Sequence, residues 1–572
     1  MNFRKKLHWF IYPLFVLSCA RQTSPTGGPK DTIPPILLKA NPTNEQTNYT
    51  HRTLELTFDE TVILNNPKEQ IIITPDVGKE FDAEVKKNKV IVRFKNDLND
   101  NTTYSVNFRE AVQDITEKNP AQRLKLAFST GDYIDSLSIE GKVYDLLRSK
   151  EIKDATVALY ENDTFNIFKN KPSYLSKTDI KGNFQIENLK PGDYYIYAIE
   201  DKNKNLVVDS KSESYGFISE KISLTSNLKD IDIPIIRLDT RPLKLTSARP
   251  SGTYFNIKTS KSITRYKIQT NQSENLVSSF GEDMANIHIY NTIGDRDSIA
   301  IHLSALDSIN NSIDTTLYLK FSKREAKADV FKTSNNGFDV IGTKGLIRGT
   351  VGFSKPLLQI NFDSIFYQID SANIIKITSQ DVSLDSNLNI LFIEKSFDKT
   401  LLIKKPATPT GKTNTPPKAK QLLTKEPLKE KARPSKPIEY QLYLAKNSLI
   451  SIELDSSKTI QETIRPSTLE TTGVIIVQIQ TQEENYLVQL LTKDFKIVTS
   501  TANTAKTVFE DLKPEDYFIR LIIDKNKDGT WSPGNFYTKQ QPETAVFYKN
   551  EKGQININLK ANWELGPLFI KY

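Results

Sequence analysis

Cysteine is almost absent from this chain of 572 residues, which holds one, Cys19. No internal disulfide can form, so every fold must be held by its own core. Histidine is also scarce. There are four, and setting aside His8 near the N-terminus leaves His51, His288 and His302. No His-Glu-x-x-His, phosphate-binding glycine loop, nucleotide glycine fingerprint or Gly-x-Ser-x-Gly elbow occurs, which removes the enzyme classes readable from short motifs. A long apolar run is missing too. The stretch from Leu7 to Leu17 is too short for a bilayer, which takes about 20 residues.

The net charge of +8 does not describe a basic folded face. Residues 404–437 hold nine Lys, one Arg and two Glu, a net of +8, so the rest of the chain is formally neutral. Seven prolines and many lysines make this segment an expected disordered insert. Nucleic acid is therefore not an expected partner. A solvated loop is the plain reading, and attraction to anionic headgroups or glycans is the functional one.

What is present begins at the N-terminus. Arg4, Lys5 and Lys6 precede the apolar stretch, and Ser18 precedes Cys19, which is the pattern of a secretory signal. Val16-Leu17-Ser18-Cys19 resembles the lipobox of bacterial lipoproteins. The resemblance implies a signal peptide over 1–18, cleavage before Cys19 and acylation there, with membrane lipid as partner. Ala20-Arg21 carries no acid, which in that family implies the outer membrane. Residues 19–33 are polar with paired glycines and read as a flexible tether.

Beyond the tether the chain reads as all-β. Thr53–Phe58, Val90–Phe94, Tyr104–Phe108 and Leu124–Phe128 alternate apolar and polar side chains, burying one face of each strand. At about 100–150 residues per domain, the length suggests four or five domains. The expected architecture is a multidomain string of β-sandwiches.

Residues 34–131 resemble a bacterial Ig-like domain of surface-layer and adhesion proteins. The resemblance rests on Pro34-Pro35, Leu54–Glu60, Asn101–Tyr104, Ala111–Asp114 and Phe128–Gly131. Residues 136–236 resemble a transthyretin-like or carboxypeptidase-regulatory-like sandwich, through Ile139–Val143 and Thr178–Tyr194. That second pattern recurs. Asn188–Asn205 and Asp511–Asp528 agree at eleven of eighteen positions, making 461–572 a second such sandwich. Residues 336–460 are expected to repeat the Ig-like pattern around the insert 404–437. Leu358–Ile365 matches Leu54–Thr61 in rhythm, Ile374–Thr378 matches Ile71–Thr74, Leu388–Phe392 matches Val90–Phe94, and Tyr440–Leu444 matches Tyr104–Phe108. Residues 237–335 are a β-sandwich by alternation alone.

Two residue patterns are candidates for chemistry. Asp524, Asn526, Asp528 and Thr530 place oxygen ligands at alternate positions around Gly529, like the first half of a calcium loop. The second half is missing, since Asn535 stands where a bidentate Glu belongs, and an Asx-rich hairpin explains the same residues. Calcium is the only cofactor the sequence suggests. Asp followed by Ser or Thr and then by an aliphatic residue, Ala or Thr recurs seven times, at Thr32, Ser136, Ser298, Ser308, Thr315, Ser364 and Ser371. This resembles the O-glycosylation site of exported proteins in some Gram-negative bacteria, and a turn entering a strand wants the same residues.

The expectation is a non-enzymatic lipoprotein of the cell envelope, a rod of sandwiches for scaffolding, adhesion or polymer binding, with envelope polysaccharide or protein as partner. A glycan-binding accessory protein of an uptake system and an enzyme with an unrecognised site are the alternatives. Exposed aromatic platforms would favour the first, and converging carboxylates in a concave pocket the second.

Overall fold

A computed structural model describes residues 31–572 except 78–79, 162, 271–275, 282, 293–297, 323–328 and 403–438. Cys19, the tether up to residue 30 and the basic segment 404–437 lie outside the described residues. Strands make up 49% of the structure and helix 3%, so the chain is an all-β string of sandwiches.

In the first module, alternation produces the expected one-sided burial. Leu54, Leu56 and Phe58 are fully buried, while Thr53, Glu55 and Thr57 face outward. Each such side chain contributes about 1.5–3 kcal/mol by leaving water. One sheet runs Leu37–Asn41, Thr53–Phe58, Lys89–Phe94, Phe81–Lys86, and it faces Ile72–Thr74, Thr103–Asn107, Lys125–Ser129 across a common core. Two of the quoted motifs meet in space. Thr130 accepts the Thr102 N–H at 3.0 Å and donates to the Asn99 carbonyl at 2.6 Å, and Tyr104 stacks on Phe128. Asp114 closes the Glu117–Asn119 turn by accepting three backbone N–H groups. These positions are framework.

The second and last modules share one strand order, to which the second adds the short strand Lys150–Glu151. In the second, Leu137–Asp145 pairs antiparallel with Asn183–Leu189 and parallel with Ile233–Arg237. In the last, Gly473–Gln480 pairs antiparallel with Lys506–Leu512 and parallel with Glu564–Lys571. The facing sheets are centred on Gly192–Ile199 and Asp516–Ile523, both of which lie wholly within the eighteen-residue repeat. Residues of the third module form two sheets around Phe255, Ile257, Ile287 and Leu303, a sandwich as alternation predicts.

The fourth module repeats the first, but not in the expected register. Its sheet Thr333–Ile341, Leu346–Phe353, Ile390–Ser396, Val382–Leu384 reproduces the first module's four-stranded sheet. The counterpart of Thr53–Phe58 is thus Leu346–Phe353, and Leu358–Ser364 lies one strand later. Phe362–Ser364 there is a 3-10 turn, with the Asn361 side chain accepting the Asp363 N–H. Likewise Ile365–Gln368, not Ile374–Lys376, pairs with the tyrosine strand Gln441–Leu444. The module's strands run past both 336 and 460, since Thr333–Ile341 starts earlier and Ile460–Thr463 ends later.

A rod would bring only successive sandwiches together. Here the last module returns to the second, and one buried cluster unites Tyr197, Ile199, Tyr215 and Phe217 with Leu487, Ile522 and Phe536. Ile309 of the third module joins the same cluster. Between fourth and last, Thr343 Oγ1 donates to Asp511 at 2.7 Å and Lys513 pairs with Asp339 at 2.7 Å.

Candidate functional site: matched loops and an aromatic seat

The calcium candidate and its repeat are built alike. Asp524 follows directly on the strand Asp516–Ile523, and Asp201 lies two residues past Gly192–Ile199. Asp524 accepts the N–H groups of Asp528 at 3.1 Å and Gly529 at 2.9 Å. Asp201 accepts those of Asn205 at 3.0 Å and Leu206 at 3.2 Å. Both carboxylates are buried. A buried glutamate closes each loop from outside. Glu543 accepts the N–H groups of Asn526 and Ser532, and Glu213 those of Lys202 and Asp209. Asn526 donates to Asp528 at 2.9 Å, and Asp528 accepts both the N–H and hydroxyl of Thr530. The Thr530 N–H holds the Asp528 carboxyl below the usual carboxylate range. The four candidate residues are thus brought together, with the oxygens of Asp524, Asn526 and Asp528 turned to local donors and the Thr530 hydroxyl among those donors. Among the described residues, no three His, Cys, Asp or Glu side chains gather as a metal site.

The two loops differ in length. Asp201 precedes Glu213 by 12 residues and Asp524 precedes Glu543 by 19. The additional residues carry Phe536 and Tyr537. Phe536 inserts among Phe168, Tyr197, Tyr215 and Phe217 of the second module, with ring centroids 5.1 to 6.3 Å away. Lys539 donates to the Tyr197 hydroxyl at 3.1 Å and lies over the Phe536 ring, while Gln541 donates to the Phe217 carbonyl at 2.9 Å. Sequence reading missed this seat. The signals were the longer loop and the exchange of Tyr197 for Arg520 at matched positions of the repeat.

The glycosylation candidates divide by exposure. Thr32, Ser136, Ser298, Ser308 and Ser371 are exposed, whereas Thr315 and Ser364 are half-buried. Thr315 stands inside the strand Ser312–Leu319 rather than in a turn before one. His288 and His302 occupy the strands Asn286–Tyr290 and Ile299–Leu306, as expected of sheet residues, with His288 stacked on Tyr254 and His302 2.8 Å from Asp314. His51 meets Tyr49 edge-on. Trp531 is partly buried with its N–H on the Glu543 carbonyl, while Trp563 is exposed beneath Lys560.

A groove of about 670 Å³ crosses the fourth module and contains Asp339, Asp381 and Glu394. Burial would raise the Asp381 carboxyl, but Thr378 and Lys395 outweigh it and hold the group below its usual range. An acid catalyst needs the opposite shift.

The architecture defines a multidomain protein of Ig-like sandwiches. Residues 31–130 match the bacterial Ig-like domain family, so the first module is such a domain. No curated protein sequence matches the chain. Similar solved structures include the Bacillus anthracis TIE protein, at 10% identity and TM-score 0.12, covering 96% of this chain and 76% of that one. The BcpA major pilin subunit of Bacillus cereus matches at 10% identity and TM-score 0.13, covering 76% and 99%. The Bacteroides ovatus SGBP-B, of a mixed-linkage glucan utilization locus, matches at 10% and TM-score 0.14, covering 64% and 83%. Values this low carry no functional weight.

Proposed function

We propose that this chain is a lipid-anchored, non-catalytic scaffold of the bacterial cell envelope, attached at the outer membrane through acylated Cys19. The observation that carries the reading is Val16-Leu17-Ser18-Cys19, directly after a basic start and a short apolar stretch and ahead of the sandwiches. Among the described residues no helix is long and apolar enough to cross a membrane. Several acyl chains on one residue supply stable attachment, since each buried methylene contributes about 0.8 kcal/mol. The second and last modules act here as transthyretin-like spacers, a reading supported by their shared strand order and by the repeat. Their acidic loops support a structural role, because their carboxylates close turns.

Metabolic labelling with an alkyne palmitate tests the anchor. The native chain takes up label and sediments with membranes, while Cys19→Ala stays folded, unlabelled and soluble. Full membrane association of unlabelled Cys19→Ala would sink the reading.

A further inference from the structure

A cleft of about 600 Å³ lies between the first and second modules, away from the aromatic seat. Two ion pairs bridge its walls, Arg109 with Asp154 and Lys204 with Glu69. Asp201, also in the lining, is engaged by the backbone of its own loop. Three further cations line the cleft, of which Lys68 pairs with Asp82 at 3.5 Å. Lys177 is half-buried and donates to Thr156, and Lys171 is exposed. Asp76 and Asp201 are the remaining acids, so the whole lining carries five cations against four carboxylates, a net of +1.

Burial pushes the Lys177 ammonium down from its usual range, although Asp201 opposes the shift. A desolvated cation in a cleft gains from an anionic partner. The opposite wall offers the complementary group. The Gln70 side-chain oxygen is buried without a hydrogen-bond partner, and an orphaned acceptor of this kind costs about 1–3 kcal/mol until a donor reaches it. The side-chain amides of Asn203 and Asn205, whose oxygens accept the N–H groups of Asn205 and Val207, add N–H donors to the lining.

We propose that this cleft binds an acidic saccharide, its carboxylate at Lys177 and Lys171 and a hydroxyl donating to the Gln70 oxygen. The volume suits a ligand of a few sugar units. A phosphate ion satisfies the lysines but brings no chain of hydroxyls for the side-chain amides, and a neutral sugar brings no charge to Lys171 and Lys177. The inference names the polymer that the envelope scaffold would hold, and so rests on that reading, but it does not depend on the lipid.

The experiment uses full-length Cys19→Ala protein and titration calorimetry with a short oligogalacturonate, a neutral gluco-oligosaccharide of equal length and inorganic phosphate. Oligogalacturonate is expected to bind, weakening as salt rises. Lys171→Gln should weaken it several-fold, Lys177→Gln at least tenfold, and Gln70→Leu should weaken it without altering the salt dependence. Lys171 is exposed, so its variant keeps the test valid where Lys177→Gln fails to fold. No binding of oligogalacturonate, equal binding of the neutral sugar or of phosphate, or indifference to all three substitutions would overturn the inference. Each of those results leaves the anchor reading standing, because palmitate labelling tests that reading separately.

Discussion

The guanidinium of Arg520 donates to the backbone carbonyl of Leu147 at 2.9 Å, joining residues 373 positions apart. Its other two nitrogens donate to the Gln489 side-chain oxygen at 3.0 and 2.8 Å. Burial pushes the Arg520 pKa down to about 10, with Asp145 opposing the shift. The cation is therefore held at a desolvation cost and kept by its hydrogen bonds. Arg520→Ala leaves buried acceptors unsatisfied and should cost about 1–3 kcal/mol. Arg520→Met, which fills the volume and removes the charge, should cost less. Thermal unfolding of both variants at neutral pH checks the order.

Phe536 closes the same contact by packing alone. Phe536→Ala empties a seat lined by four rings, and truncations of that kind cost about 3–5 kcal/mol. The modules have cores of their own, so the loss should fall on their association. Small-angle scattering should show a larger radius of gyration for Phe536→Ala, with circular dichroism unchanged. An unchanged radius would show that the contact holds without this ring.

Much of the fold was legible because one-sided burial imposes a period of two. Thr53–Phe58 shows it plainly, and the matched repeat 188–205 and 511–528 announced one topology used twice. The register of the fourth module was not legible. Phe362 continues the apolar rhythm of Leu358 and Ile360, yet it belongs to a capped turn, and short strands give too few residues to expose such a slip. The return of the last module left a fainter trace. Thr156–Tyr160 and residues 486–491 are buried on both faces, and such continuous burial marks a sheet covered twice without naming the cover. The acidic loop was legible as residues, but a carboxylate that accepts backbone N–H groups and one poised for a cation share one spacing.

Lys355 is fully buried between Glu453 at 2.5 Å and Asp455 at 3.0 Å. Lys355→Met leaves two carboxylates facing each other, and breaking a buried pair from one side costs about 3–5 kcal/mol. Acid should act on the same cluster. Burial alone would raise the Asp455 carboxyl, but Ser451 and Lys355 more than offset it, and its folded pKa lies below its unfolded one. Its contribution is complete above the unfolded value of about 3.9 and is lost as pH falls through the folded value. The native fourth module should keep its stability to about pH 4 and lose it below. Denaturant midpoints across pH 2–7 measure this, and Lys355→Met should flatten the acid limb.

Exposure sorts the glycosylation candidates into a prediction. A glycosyltransferase acting on the folded chain needs a free hydroxyl, so mass shifts are expected at Thr32, Ser136, Ser298, Ser308 and Ser371, and not at Thr315 or Ser364. Peptide mapping of protein isolated from its native envelope decides it. Unmodified peptides at all five exposed positions would end the assignment.

The two acidic loops make the last prediction, because they solve one backbone problem with different residues. Leu206 and Gly529 follow the same Asp-Lys-Asn-Lys-x frame, and both adopt left-handed backbone, at φ of +64° and +73°. Leucine carries that conformation at a cost of about 1–2 kcal/mol, which glycine avoids. A Cβ at Gly529 would meet nothing within 4 Å, so a substitution there acts through the backbone alone. Gly529→Ala should lower stability by about 1 kcal/mol and Gly529→Asn by less, since asparagine tolerates this region. Asp524→Asn should cost more than either, because it replaces a charged acceptor of two N–H groups by a neutral amide. Calcium enters as the control. With the Asp524 and Asp528 oxygens turned to backbone and side-chain donors, millimolar calcium or EDTA should leave the melting temperature unchanged. A rise with calcium that Asp524→Asn abolishes would instead show that the ion displaces those donors.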